Sequence, residues 1–352
     1  MNWGNDMAGI ACVLLATLLL VGACEKRALV RNNCLDSSVC VEGNPPSPDA
    51  SQPTYRESTE HFVQISAGVE EACGIRMDGS IRCWGSYGDC RDVDGECPVQ
   101  RGSVAKPTAG AWKYVSVGQN YACAIRTDDS IDCWGWLKTA AHFDGGSFAG
   151  WLDNPAHLDG AFSALAIPFA IRKEDGSILG LINARQPPAG SFLAASGDGY
   201  CCAIKSDGTL TCWGSARNDG ITDQPPSGTF NQLVTASDFG CALQVDGQVS
   251  CWGWGTASWD RNGSGFVPQP DGTFVQLAAY AMAVCGVRKD GGVTCWGELS
   301  GYVPPEGNYL QVAVGLTSLD APDYGAAFFC ALRPDGVAVC WDGNNSGESS
   351  PP

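Results

Sequence analysis

The cysteines carry the clearest chemistry in this chain. Six times a Cys is followed ten positions later by a second, with Asp-Gly (once Asp-Asp) between them and Trp directly after. The copies are CGIRMDGSIRCWG from Cys73, CAIRTDDSIDCWG from Cys123, CAIKSDGTLTCWG from Cys202, CALQVDGQVSCWG from Cys241, CGVRKDGGVTCWG from Cys285 and CALRPDGVAVCWD from Cys330. Thiols so spaced either close disulfides or hold a metal. Zinc fits poorly, because there is no Cys-x-x-Cys pair and there are only three His, His61, His142 and His157. Disulfides at this density imply an oxidising compartment. Of the 19 Cys, Cys34 and Cys40 are expected to close one small loop and Cys90 and Cys97 another. Cys201 has no evident partner. It reads as a buried thiol, or as a competitor of Cys202 for Cys212.

The elements that must position these pairs follow from the first copy. Cys73 to Arg76 and Ser80 to Cys83 are short runs around Met77-Asp78-Gly79, which reads as a β-hairpin with Gly79 left-handed. That register sets Cys73 opposite Cys83 at a non-hydrogen-bonded pair, where Cα atoms lie about 4.5 Å apart, within reach of a disulfide. The same counting pairs Cys123 with Cys133, Cys202 with Cys212, Cys241 with Cys251, Cys285 with Cys295 and Cys330 with Cys340. Ile75 and Ile81 share the parity of the two cysteines, and Trp84 has the opposite parity. Both faces of the sheet are therefore apolar, as in a sheet packed between two others. An aromatic-led run, such as Phe62-Val63-Gln64-Ile65, precedes most hairpins and supplies a third strand, and the Gly-Pro-rich stretch after most Cys-Trp-Gly triplets is expected to hold a fourth.

A seventh copy, from Phe162 to Leu181, keeps Asp175-Gly176 but has Phe169 and Gly180 in place of the cysteines and Leu181 in place of Trp. Both cysteines are lost together, as expected if they pair. Seven units of four short strands predict an all-β, seven-bladed β-propeller of four-stranded antiparallel blades braced by disulfides within the blades. An open solenoid, which needs capping units, is the alternative. The pattern aromatic-x-x-[Ile/Val/Leu], Cys-Ala-[Ile/Leu]-x-x-Asp-Gly and Cys-Trp-Gly resembles the regulator of chromosome condensation repeat, most closely the bacterial secreted version with paired cysteines, over about residues 61 to 343. The resemblance implies a seven-bladed propeller. It does not imply one function, since such repeats serve in a nucleotide exchange factor, in ubiquitin ligase modules and in a secreted β-lactamase inhibitor.

A net charge of −17 argues against a phosphate-binding surface, which needs clustered Lys and Arg, so no nucleic acid partner is expected. Ile10 to Ala23 is an apolar run of signal-peptide length ending at Cys24, and Val21-Gly22-Ala23-Cys24 resembles a lipoprotein processing site. The expected organisation is a signal peptide over 1–23 with Cys24 lipidated, a Pro- and Ser-rich tether over 24–60, and a propeller over 61–352. The expected location is a bacterial outer membrane or cell surface, with plain secretion as the alternative, and a monomer is expected.

Partner-binding candidates are aromatics assigned to loops after the hairpins: Tyr87, Trp136, Trp151, Trp254, Trp259 and Tyr302, with Asp320 in an insertion from Leu316 to Tyr324. The competing reading packs these rings between blades. Asp92, Asp94 and Glu96 alternate around Gly95 in a calcium-like pattern, but the spacing completes no EF-hand. A solvated acidic loop is expected there, and no cofactor, with calcium as the alternative. No Ser-His-Asp or metal-hydrolase pattern anchors catalysis. The expectation is a surface lipoprotein that binds a protein and is not an enzyme. A glycan- or cell-wall-binding protein ranks second, and a cell-wall-active enzyme or an exchange factor ranks below it.

Overall fold

The computed structural model describes residues 55–85, 110–119, 121–143, 146–181, 186–197, 200–214, 225–235, 239–253, 271–280, 283–297, 303–317, 327–343 and 347–352, with the backbone alone over 136–156. Blade 1 comprises β1 (Arg56–Ala67), β2 (Glu71–Arg76) and β3 (Ile81–Gly85), and blade 2 comprises β4 (Trp112–Val117), β5 (Tyr121–Arg126), β6 (Ile131–Phe143) and β7 (Gly146–Leu158). Blade 3 has β8 (Phe162–Ala166), β9 (Phe169–Arg172) and β10 (Ile178–Gly180), and blade 4 has β11 (Phe192–Gly197), β12 (Tyr200–Lys205) and β13 (Leu210–Gly214). Blade 5 has β14 (Phe230–Thr235), β15 (Phe239–Gln244) and β16 (Val249–Gly253), and blade 6 has β17 (Phe274–Tyr280), β18 (Ala283–Arg288) and β19 (Val293–Gly297). Blade 7 has β20 (Gln311–Leu316), β21 (Ala327–Leu332) and β22 (Val337–Asp342). Every pairing within a blade is antiparallel.

One strand closes the ring. The first half of β1 pairs with β22 through Arg56↔Cys340, Glu57↔Val339 and His61↔Val337. Its second half pairs with β2 from Phe62↔Arg76 onward. The same strand is thus the outermost of blade 7 and the innermost of blade 1. Among the described residues a fourth strand occurs in blade 2, as β7, and in blade 7, as this half of β1. The residues expected to supply it in the other five blades lie largely outside the described ones.

The repeat's most constant residues act locally. In all seven turns the Asp side chain accepts the backbone N–H two residues on, at 2.8–3.1 Å: Asp78, Asp128, Asp175, Asp207, Asp246, Asp290 and Asp335. These are Asx turns, which fix the hairpin bend. The next residue is left-handed, at φ 80 for Gly79 and φ 76 for Asp129, a conformation an Asp tolerates better than most side chains. Its carbonyl is thereby aimed at the following blade. Seven equivalent bonds result, from Trp112 N–H to Gly79, Phe162 to Asp129, Phe192 to Gly176, Phe230 to Gly208, Phe274 to Gly247, Tyr309 to Gly291 and Phe62 to Gly336, all 2.8–3.0 Å. The last of these returns to blade 1 and counts the blades as seven.

Side-chain clamps reinforce these seams. Gln64 bonds both backbone groups of Val115, Gln232 those of Leu277, Gln276 those of Val312 and Gln311 those of Ile65. Two positions on from Gln64, Ser66 accepts from Val117, and at the equivalent positions of the inner strands of blades 2 and 4 Ser116 accepts from Ile167 and Ser196 from Thr235. The core is divided accordingly, with one apolar cluster at each seam. Cys73, Ile75, Ile81 and Cys83 point together toward blade 2. Trp84 points the other way, toward blade 7, with its ring 5.5 Å from that of Phe62. Six disulfides staple the hairpins, Cys73–Cys83, Cys123–Cys133, Cys202–Cys212, Cys241–Cys251, Cys285–Cys295 and Cys330–Cys340, each with Cα atoms 4.0 Å apart. Cys201 pairs in register with Trp213 and is buried against the opposite blade face from Cys202, so it does not compete for Cys212.

The Cys-Trp-Gly glycines share a left-handed backbone, φ 93 at Gly85 and φ 109 at Gly253, whereas blade 7 has Asp342 there at φ 62. Burial pushes the Asp342 carboxyl up to about 6 from its ordinary 3.8. Its charged form is disfavoured by folding, so the destabilisation is absent below pH 3.8 and complete above about pH 6. Discounted for partial exposure, removing the charge gains about 1–2 kcal/mol at pH 7. Asp342→Asn is therefore expected to raise the thermal midpoint at pH 7 and leave it unchanged at pH 3.5, which a pair of calorimetric scans checks.

Candidate functional site

The strand directions give the ring two unlike faces. The Asp-Gly turns crowd one, here the turn face. The chain leaves each Cys-Trp-Gly triplet on the other, the loop face. On the turn face several charges pair with one another. Arg76 is bonded to Glu60 and Arg333 to Glu57, and Asp129 is paired with both Lys113 and Lys173.

The loop face carries a long two-stranded extension in blade 2. The described part of the second hairpin strand reaches the motif glycine in blades 1, 4, 5 and 6, at Gly85, Gly214, Gly253 and Gly297. In blade 2 it is described well past the equivalent Gly135. β6 runs 13 residues and β7 returns over another 13. Positions 136–143 of β6 thus extend beyond the blade, roughly 25 Å at the usual strand rise. The ladder in this arm matches Trp136 with Trp151, Leu137 with Gly150, Ala141 with Phe148 and Phe143 with Gly146. Two of the aromatics singled out from sequence therefore occupy one cross-strand position. They stand in strands, where loops were expected.

The arm is anchored where it re-enters the blade. Asp132, paired in register with His157, is buried. Its Oδ2 accepts from Arg126 Nε at 2.9 Å and from a second guanidinium nitrogen, and its Oδ1 lies 2.6 Å from His157 Nδ1. Arg126 in turn lies 4.4 Å over the Trp112 ring, a cation–π contact. His157 Nε2 is 3.2 Å from Asp159. The Asp132 hydrogen bond raises the His157 imidazole, helped by the charges of Asp132 and Asp159 against partial burial. Both oxygens of Asp132 are engaged in bracing, which makes this an anchor more than a catalytic dyad. A raised histidine contributes stability that is present below its unfolded pKa of 6.5 and lost as pH rises through the folded value. His157→Ala is expected to lower stability by up to about 1 kcal/mol at pH 5.5, half-exposure limiting the effect, and by less at pH 8.5. Urea titrations of both proteins at the two pH values check this. The anchor was missed from sequence, although an acid stands at 132 where the other copies have Arg82, Thr211, Ser250, Thr294 and Val339.

Tyr87, Trp254, Trp259, Tyr302 and Asp320 lie outside the described residues, as do Asp92, Asp94 and Glu96, the Cys90–Cys97 and Cys34–Cys40 pairs, and Cys24. Among the described residues one metal-sized group of donors occurs, Glu71 with Cys73 and Cys83. Both sulfurs are already in a disulfide and offer no thiolate.

The molecule belongs to the class of disulfide-braced seven-bladed propellers. Its fold is similar to the entire ectodomain of the receptor kinase CR4 of Physcomitrella patens, at 22% identity and a TM-score of 0.56, over 82% of this chain and 75% of that one. Weaker likenesses are to the CRINKLY WD40 ectodomain of the Arabidopsis thaliana receptor kinase ACR4 (21% identity, TM-score 0.47, 68% of this chain and 81% of that one) and to Prp20p of Saccharomyces cerevisiae (12%, 0.42, 81% and 72%). No family model and no curated protein matches the sequence.

Proposed function

We propose that this protein is a cell-surface module that binds another protein through the loop face, with the blade 2 arm as its principal contact, and that it does so without catalysis. The observation that carries the reading is the arm itself. It projects from a stapled, anchored blade and sets Trp136 and Trp151 at one register position. Large aromatics on a rigid support give much contact for little lost freedom, and such residues dominate binding hot spots. Six disulfides support an extracytoplasmic location, and the sequence at Cys24 supports a lipid anchor.

The test is capture of surface and secreted proteins from the source cells by the oxidised protein, beside a variant lacking positions 138–149 and a Trp136→Ala/Trp151→Ala variant. Capture by the parent, weakened at least about tenfold in both variants, is the expected result. Equal capture by all three would remove the arm from the reading. Enrichment of polysaccharide in place of protein would replace the reading with glycan binding, since paired Trp also suits a sugar ring.

A further inference from the structure

We propose that the ring has a gate at the seam between blades 3 and 4, and that it opens there in the native state while the other six seams stay closed. The seams are built to one plan, so they can be compared position by position. All seven have the bond from the turn carbonyl to the next inner strand. Six add a glutamine or serine clamp. Between blades 1 and 2 it is Gln64 with Ser66, between 2 and 3 Ser116, and between 4 and 5 Ser196. Gln232, Gln276 and Gln311 serve the seams from blade 5 round to blade 1.

At the remaining seam the two clamp positions of β8 are Ala164 and Ala166. Neither side chain can donate or accept, so the clamp bonds of the other seams have no counterpart at these two positions, while the bond from Phe192 N–H to Gly176 at 2.8 Å is kept. Blade 3 is also the blade whose hairpin has Phe169 opposite Gly180 where the others have a disulfide. One blade thus lacks both its staple and its forward clamps. The seam is packed by apolar side chains, centred on Phe169 against Trp213 with ring centroids 5.4 Å apart. Hydrogen-bonded clamps and covalent staples raise the free energy of local opening, so the seam without either is the least protected.

The molecule carries its own reporters. Cys201 bears a thiol and is buried within this seam, packed with Phe169, Ile171 and Phe192. The seven inner-strand amides form a matched set, of which Phe192 reports this seam and Phe62, Trp112, Phe162, Phe230, Phe274 and Tyr309 report the others.

The experiment is native-state hydrogen exchange of the oxidised full chain, together with maleimide labelling located by peptide mapping. Phe192 is expected to exchange at least about tenfold faster than the other six amides, the effect of roughly one net hydrogen bond. Cys201 is expected to label below the denaturant range of global unfolding, with a shallow denaturant dependence. Ala164→Gln with Ala166→Ser restores the clamp positions and is expected to slow Phe192 exchange and Cys201 labelling about tenfold while leaving the other six amides unchanged. Exchange at Phe192 no faster than the other six overturns the gate. So does Cys201 reactivity that follows the global unfolding curve. The exchange measurement uses the unaltered protein, so it decides the matter even if the double variant folds poorly.

Discussion

Full reduction is expected to unfold this propeller at 25 °C without denaturant. Each of the six disulfides spans ten residues, and closing such a loop restricts the unfolded chain by about 2–3 kcal/mol. Strain and overlap make the simple sum an upper bound. Even half of it, on the order of 6–9 kcal/mol, rivals the 5–15 kcal/mol that holds a typical domain folded. The staples cannot be discarded cheaply, because Cys123 and Cys133 are wholly buried, as are Cys330 and Cys340. Reduction leaves two thiols in a site shaped for one bridge. Loss of the near-ultraviolet circular dichroism of the buried tryptophans on adding phosphine reductant would report unfolding. A reduced protein with an unchanged thermal midpoint would show that the seams alone suffice. A single deletion, Cys123→Ala with Cys133→Ala, is expected to cost about 3 kcal/mol and leave the fold intact. Blade 3 shows why one loss is survivable. With Phe169 facing Gly180 in register, its hairpin is held by the packing of its neighbours.

How much of this was legible in the sequence depends on the range of the interaction. The hairpins were, because Asp78-Gly79 and the parity of Cys73, Ile75, Ile81 and Cys83 are local and recur in every copy. The number of blades was legible from the altered copy at Phe162 to Leu181. Ring closure was not, since nothing in residues 56–61 announces that they pair with β22, some 280 positions away. The clamps were written in the repeat at Gln64, Gln232, Gln276 and Gln311, yet their partners lie in the next blade and only the assembled ring reveals them. The arm failed for a different reason. A Trp soon after Cys-Trp-Gly was assigned to a loop because the usual radial strand order places a connection there. In blade 2 the ladder continues instead, and Trp136 and Trp151 became a register pair. The anchor at Asp132 and His157 was hidden by their separation of 25 positions in the chain.

Gly68→Ala is expected to be strongly destabilising. At the end of β1 the chain passes over its neighbours with no room for a side chain. A Cβ on Gly68 would fall inside 3.0 Å of the Gly118 carbonyl oxygen and of a Val117 methyl. The obstacle is backbone, so no rotamer change relieves it. That backbone is also fixed from several directions. Val69 N–H donates to Gly118, Leu316 N–H donates to Gly68 and Glu70 N–H donates to Leu316, at 3.2, 2.9 and 2.6 Å. Val69 bridges Gln119 on one side and Leu316 on the other, so a shift of Gly68 is carried into blades 2 and 7 together. Overpacking of this kind costs about 3 kcal/mol, and the lost hydrogen bond adds about 1 kcal/mol. Gly79→Ala separates this effect from backbone strain. Gly79 needs its left-handed φ of 80, but a methyl there would meet its nearest neighbour at an ordinary 3.5 Å. It is expected to cost only about 1–2 kcal/mol. Chemical denaturation of the two variants should therefore place Gly68→Ala clearly below Gly79→Ala. Equal losses would mean that the loop-face backbones of blades 7, 1 and 2 can part to admit a methyl, which the tight packing at Gly68, Gly118 and Gly315 argues against.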